Sequence, residues 1–516
     1  MKKFLLFLFF MGLFSCSSDL DDVKKEIEEL EREAQNLRKE REDLEKNNTD
    51  QEISNQEKEE QIKNAERQQG ITILKSMEFL LVDNPIQMVS DEKCSIIDNS
   101  VVECWIPYLM PNKKLVPRFE FNGIDLTLNG SSAVSGFTLC DFSKPVNLVI
   151  SSKTDSKNYS VFVHAFTGLP VLWIETDDRE GFSENDDYMN AKLKLVEDVV
   201  TRGAGDVIEE NIKIKRDGDV IYYTSQYDGN THTGKNSYVI KFNSKISMID
   251  EPQSDEWALF TTDKDITMLR SQTGFYMGSI SRLSRSMTFH YVELMLNGRY
   301  CGTYLLGDRT EMSHRYEVKT EGLTMRIDGG GENSSSVSSF INEVENVLFS
   351  SSFTDKNNGW QNYLDIESFA DWYVISEMLK GGKSSSTLEC YANLMDGMLK
   401  IGPLVKTDMS MGVYDNDVKG LIVKKSKWFN RLLQDPVFES EVKKRFDYFY
   451  GKKDEIKREI ENNAQYLRYS VVENSNRWEI FMENSDAAIY SMYISEVNTL
   501  LDWFDARMEW LKGEFK

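Results

Sequence analysis

The spacing of apolar positions changes twice along this chain, and each change marks a segment. Between Val23 and Leu44 apolar residues recur at intervals of four and three: Val23, Ile27, Leu30, Ala34, Leu37 and Leu44, with Arg41 at the missing position. That spacing is a heptad seam over about three heptads. Glu, Lys, Arg, Asn and Gln dominate from Asp21 to Gln69. As one helix the stretch 21–69 would extend roughly 70 Å at 1.5 Å per residue. It reads as a coiled-coil stalk through which the chain would oligomerise. A lone charged helix or an unstructured spacer is the alternative reading of the same pattern.

From 70 to 167 the period drops to two. Short alternating runs such as Val101 to Ile106, Ile124 to Leu128, Val146 to Ile150 and Tyr159 to Ala165 are separated by Asp98-Asn99, Asn122-Gly123 and Asn129-Gly130. This predicts a β-sandwich, immunoglobulin-like in its strand spacing. Gly168-Leu169-Pro170 is the next boundary. Beyond it, strands are predicted at Val171 to Ile174, Tyr188 to Leu195, Lys213 to Arg216 and Tyr238 to Phe242. A hairpin is predicted across Asn297-Gly298, where both residues accept the positive φ of a type I′ turn. Asp265 or Thr267 would cap a helix after Trp257, and Asp396-Gly397 predicts a second hairpin. Ser334 to Ser339 reads as a flexible loop after three glycines. Helical spacing resumes at Phe340 to Phe349 and Ile366 to Leu379, and fills 426–516. The whole is a multidomain α+β chain: signal 1–16, stalk 17–69, sandwich 70–167, α+β domain 168–425, helical tail 426–516.

Composition narrows the role. A net charge of −24 over 516 residues argues against a nucleic-acid partner, because phosphate binding needs a basic footprint. Lys2 and Lys3 precede a short apolar run, and Leu13-Phe14-Ser15-Cys16 looks like a lipobox. That run is too short to span a bilayer. Cys16 would be the lipidated residue anchoring the protein to a membrane. The acidic stretch after it resembles the surface-export signal of Bacteroidota-type lipoproteins, which implies the outer membrane or cell surface, with the periplasmic face as the alternative. Of the five remaining cysteines, Cys94 and Cys104 could pair across adjacent strands; small buried hydrophobes are the alternative. His164, His232, His290 and His314 show no metal-ligand spacing.

The ordered set Trp257, Leu259, Asp265, Arg270, Asn297, Gly298, Tyr300, Gly302, Tyr304 and Leu306 resembles the core of the CotH-type kinases, a family named for a spore-coat protein kinase. Gly229, Asn230, Lys235 and Tyr238 match a further stretch of its pattern, and so do Pro403, Asp408 and Gly412. The resemblance covers about 170 to 516 and implies an atypical kinase-like domain. It implies ATP and Mg²⁺, with Ser or Thr of a secreted or coat protein as phosphoryl acceptor. Asp408 would be catalytic and a metal ligand, with Asp308 as a second ligand. Lys235 and Arg270 would contact the phosphates.

The chain departs from the family at telling places. Ser271 stands for Asn and Asp308 for Glu. Lys406 replaces the first acid of the acidic cluster, and the turn 381–386 carries no carboxylate. Swapping a carboxylate for an ammonium reverses two units of charge, each worth roughly 4 kcal/mol at 4 Å in an effective dielectric of 20. Lys406 would then take over the charge of the metal, or the domain is a degenerate pseudokinase. The rival class is a non-catalytic surface lipoprotein that binds a protein or a glycan.

Overall fold

The computed structural model describes residues 72–516 except 89–90, 107–112, 178–181, 183–186, 198–206, 218–221, 225–230, 234, 263, 310–314, 382–387, 406, 482 and 484, together with 32, 33, 36 and 39. The lipobox with Cys16, Gly229, Asn230, Lys406 and nearly all of the heptad segment lie outside the described residues; residues 32, 33, 36 and 39 are helical.

The chain divides into two units. The smaller gathers 1–75, 121–126 and 150–157. In it Ile124 N donates to Ser151 O at 2.7 Å, and Thr72 Oγ1 donates to Asp155 Oδ2 at 3.1 Å. Gly123 has a φ of +151°, and a Cβ there would lie 2.5 Å from Ile150 Cγ2.

The larger unit holds the rest. Its first part is all-β, as the alternation predicts. Val101–Ile106 pairs antiparallel with Ser95–Ile97 and parallel with residues 160–165. Cys94 and Cys104 form a disulfide.

Seven strands then close a barrel in the order Val171–Thr176, Met189–Val196, Val207–Asp217, Ser237–Ile246, Ser254–Phe260, Arg299–Asp308 and Phe289–Leu296. Period-two alternation fills its interior. Leu172 and Ile174, Leu193 and Leu195, Ile212 and Ile214, Trp257 and Leu259, Val292 and Leu294, Tyr304 and Leu306 all pack there. The ring closes where residues 293–296 run parallel to 171–174. Asn297 secures that closure. Its N–H donates to Ile174 O at 2.8 Å, and its Oδ1 accepts from Thr176 N at 2.8 Å. With φ of 52° at Asn297 and 81° at Gly298, the hairpin turn takes the predicted conformation.

A second sheet, Tyr316–Thr320, Leu323–Asp328, Leu388–Met395 and Met398–Ile401, carries the second predicted hairpin. The helices Ile366–Leu379 and Pro436–Gly451 and the tail helix Asp486–Glu514 share its large apolar core. The tail is tied in by buried charges. Arg445 pairs with Asp371, and Arg507 Nη2 lies 3.2 Å from Glu377 Oε2. Two expectations shift. The helix after Trp257 begins at Arg270 rather than Asp265, and residues 334–339 open the helix Ser334–Leu348. The serine run is helical because Asn333 caps it, accepting from Ser336 N at 2.9 Å.

Candidate functional site

After Met398–Ile401 the chain passes Pro403 and enters the turn that carries Asp408, which is buried. The helix Arg270–Ser279 holds this turn in place. Thr407 N donates to Ser271 Oγ at 3.2 Å, and Thr407 Oγ1 donates to Arg270 O at 3.0 Å. The Arg270 guanidinium donates from Nε to Ser410 O at 3.0 Å and from Nη2 to Met411 O at 3.2 Å. Its Nη1 lies 2.5 Å from Asp265 Oδ1 and 3.1 Å from Thr267 Oγ1. Asp265 also accepts from Arg270 N, the first N–H of the helix, at 2.8 Å, while the N-cap position itself is Leu269. Gly274 permits the approach, because a Cβ there would lie 2.4 Å from Thr407 Oγ1. The D-x-T-x-x-R-S string is thus a buried clamp on the Asp408 turn. Charge-assisted bonds of this kind are strong away from water.

Asp408 borders a cavity of about 420 Å³ walled by Trp372, Leu379, Tyr391 and Leu404. Glu389 is the second acid among the described lining residues, and it is ion-paired with Arg326. No lysine or arginine is among those described lining residues.

The other predicted site residues lie elsewhere. Lys235 is buried. Its Nζ donates to Thr303 O at 2.5 Å and Asn474 Oδ1 at 3.1 Å, 5.0 Å from the Tyr304 ring centroid. It joins the hairpin strand to the helix Ser470–Trp478. Asp308 stands opposite Trp257 at the end of its strand and accepts from Ser254 Oγ at 2.6 Å; it does not line the cavity. Of the candidates, the fold brings Arg270 to the Asp408 turn and leaves Lys235 and Asp308 apart from it. A Mg²⁺-nucleotide site needs converging carboxylates and a cation on the phosphates. Among the described residues the donor set around Asp408 does not fit that group, because Glu389 is ion-paired with Arg326 and Lys235 and Arg270 hold other partners; Lys406, the third proposed cation, lies outside them. Among the described residues no three His, Cys, Asp or Glu side chains are placed to hold a metal ion.

A second cleft, of about 840 Å³, lies on the outer face of the barrel. Trp173 stands opposite Lys194 and Glu175 opposite Lys192, and Lys194 Nζ lies 2.9 Å from Glu209. Phe166 and Glu92 of the β module complete its wall.

One cluster has no counterpart among the sequence candidates. His164 is buried between two carboxylates, 3.3 Å from Glu103 through Nε2 and 3.3 Å from Glu473 through Nδ1. Glu473 also accepts from Lys113 Nζ at 2.7 Å, and Glu103 accepts from Tyr300 N at 2.7 Å. Burial alone would lower the His164 pKa, but the two carboxylates outweigh it and hold it above the ordinary value. Burial would raise Glu473, but Lys113 and His164 hold it down at about 2. Glu103 is lowered against its own burial by His164. Beside them Glu293 is raised by burial, although it accepts from Thr167 Oγ1 at 2.8 Å and Tyr300 OH at 2.7 Å. The cluster joins the β module to the helix Ser470–Trp478. Its signal in the sequence was a charged residue inside each of two apolar strands, VVECWI and SVFVHAF, since a buried polar group needs a partner.

The family profile described as CotH kinase protein matches residues 226–511. The chain belongs to the CotH kinase family. No curated protein matches it. Two solved structures show a partial likeness. One is a putative glycoside hydrolase from Bacteroides thetaiotaomicron, 15% identical over 37% of this chain and 52% of that one, with a TM-score of 0.17. The other is a DUF4623 family protein from Bacteroides eggerthii, 10% identical over 37% of this chain and 59% of that one, with a TM-score of 0.15. This chain thus spans between half and three-fifths of theirs, and at these scores neither likeness bears on function.

Proposed function

We propose that this CotH-family chain is a lipid-anchored extracytoplasmic protein whose kinase-like domain binds a ligand and no longer transfers phosphate. The observation that carries this is the engagement of Lys235 and Arg270. Lys235 holds Thr303 and Asn474, and Arg270 clamps the Asp408 turn, which supports a structural role for these two of the three proposed cations. The substitution of Lys406 for an acid points the same way. The Cys94–Cys104 disulfide supports an oxidising compartment, as expected for a chain anchored through Cys16. The immunoglobulin-like module would then serve as a binding or spacing unit at the outer membrane or cell surface. For a glycan partner the barrel cleft is the candidate face, with the Trp173 indole for a sugar ring and alternating Glu and Lys for its hydroxyls.

A second reading keeps catalysis, with Asp408 and Glu389 as the metal-holding acids and Ser or Thr of a surface protein as acceptor. It rests on the presence of both acids at one cavity. Incubating the full chain with radiolabelled ATP and Mg²⁺ or Mn²⁺, with a generic protein acceptor, separates the two. The binding reading expects no label in chain or acceptor. Label that vanishes in Asp408→Asn would establish the catalytic one.

A further inference from the structure

We propose that two turns of the N-terminal β module form a self-association surface that meets the same surface on a second copy of this chain. The first turn spans 80–88 and the second 133–139. Among the described residues, every large hydrophobic side chain exposed by 60% or more lies in them: Val82 at 74%, Ile86 at 81%, Val134 at 60%, Phe137 at 83% and Leu139 at 62%. Isolated exposed hydrophobics are ordinary, but a concentration of this kind marks an interaction surface.

The two turns are neighbours because both are fastened to one stretch, residues 116–119. Val116 N donates to Asn84 Oδ1 at 2.7 Å, and Asn84 Nδ2 returns a bond to Val116 O at 3.0 Å. Gly136 N donates to Pro117 O at 2.9 Å, and Phe119 N donates to Ser135 Oγ at 2.8 Å. Arg118 pairs with Asp83 of the first turn at 2.5 Å and lies beneath Gly136 of the second. The apolar side chains therefore stand beside an ion pair, with the Asp91 carboxylate, which accepts from Leu81 N at 2.8 Å, close to the first turn.

A second copy is the occupant that the chain's own sequence favours. The heptad seam of Val23, Ile27, Leu30, Ala34, Leu37 and Leu44 lies upstream of Ile73–Phe79, with residues 45–72 between the two and the pattern broken at Asn47 to Gln56. The strand Ile73–Phe79 then leads straight into the first turn. A parallel coiled coil would deliver two copies in the same register, at an effective concentration of about millimolar. A patch too small to associate alone would close under that tether. Around a two-fold axis it meets itself, and its paired charges match their own copies. A lipid surface would call for an excess of basic residues, which the Asp83–Arg118 rim does not supply.

The test uses the full chain in membranes, in a Cys140→Ser background. Phe137→Cys should give a disulfide-linked dimer on mild oxidation, while the background protein and Val437→Cys on the tail should not. In detergent, Ile86→Asp with Phe137→Asp should weaken dimerisation at least tenfold in sedimentation, with the circular dichroism spectrum unchanged. Three outcomes would overturn the proposal: no cross-link at residue 137, a dimer indifferent to the double substitution, or monomers whose flotation with phosphatidylcholine vesicles requires Ile86 and Phe137.

Discussion

Arg270 donates to the carbonyl oxygen of Met411 from both Nε and Nη2, at 3.3 and 3.2 Å. This fork, backed by Asp265, fixes the turn that presents Asp408 to its cavity. Removing one partner of a buried, hydrogen-bonded charge pair costs roughly 3–5 kcal/mol. Arg270→Ala should therefore lower the urea midpoint by that equivalent. Arg270→Lys should recover only part of it, because a point charge cannot make the fork. Equal stability of Arg270→Lys and wild type would show that the fork is not what holds the turn.

Gly274 probes the same contact from the helix side. A Cβ there would press on Thr407, whose hydroxyl bonds to Arg270 O. Overpacking of this kind costs roughly 1–3 kcal/mol. Gly274→Ala should lower the melting temperature and alter ligand binding at the Asp408 cavity together. Gly274→Ala with Thr407→Ala, which removes the overlapping hydroxyl, should restore both in part.

Gly302 has a φ of +89°, and a Cβ there would lie 2.3 Å from Asn474 Oδ1, the acceptor of Lys235. Strain and overlap act together, so Gly302→Ala should destabilise by at least about 2 kcal/mol. Thermal unfolding reads this directly. A neutral result would mean that the helix Ser470–Trp478 does not pack against the hairpin.

The cluster around His164 sets opposing pH limits. His164 is held above its ordinary 6.5, so its contribution is complete below that pH and is lost as pH rises through the folded value. Glu473 is held at about 2 against an ordinary 4.5, so its contribution is present above 4.5 and is lost as pH falls toward 2. Glu103 shares that acid limb. Glu293 is raised, so its contribution is complete below 4.5 and is lost with rising pH. The urea midpoint should fall on both sides of a plateau. His164→Gln should be less stable on the plateau, approach the wild type as pH rises, and lose the limb above pH 6.5. An unchanged alkaline limb in that variant would remove His164 from the account.

The Cys94–Cys104 disulfide closes a short loop between two strands. Chain-entropy bookkeeping for a loop of about ten residues gives roughly 2–3 kcal/mol. Reduction, or Cys94→Ala with Cys104→Ala, should lower stability by about that amount. No change would place the effect in the native state rather than the unfolded chain.

Much of this fold was legible because its signals are local. The alternation of Leu172 and Ile174, or Leu193 and Leu195, fixes which face points inward, and Asn297-Gly298 fixes a turn. Closure of the barrel was not legible, because it depends on residues 293–296 meeting 171–174 across more than a hundred positions. Arg270 was read as a phosphate contact, while the structure places it under the turn that carries Asp408. Sequence spacing shows that an arginine belongs there, but not which way its fork points. Lys235 was obscured for the same reason: its partners, Thr303 and Asn474, come from two distant elements.

The most direct test of the central claim is a thermal-shift titration of the full chain with ATP, with and without Mg²⁺ or Mn²⁺, alongside the phosphoryl-transfer assay. On the binding reading, ATP should give no metal-dependent stabilisation beyond that of adenosine, and no transfer should be seen. Saturable, metal-dependent stabilisation by ATP that is lost in Asp408→Ala, accompanied by transfer, would contradict the account.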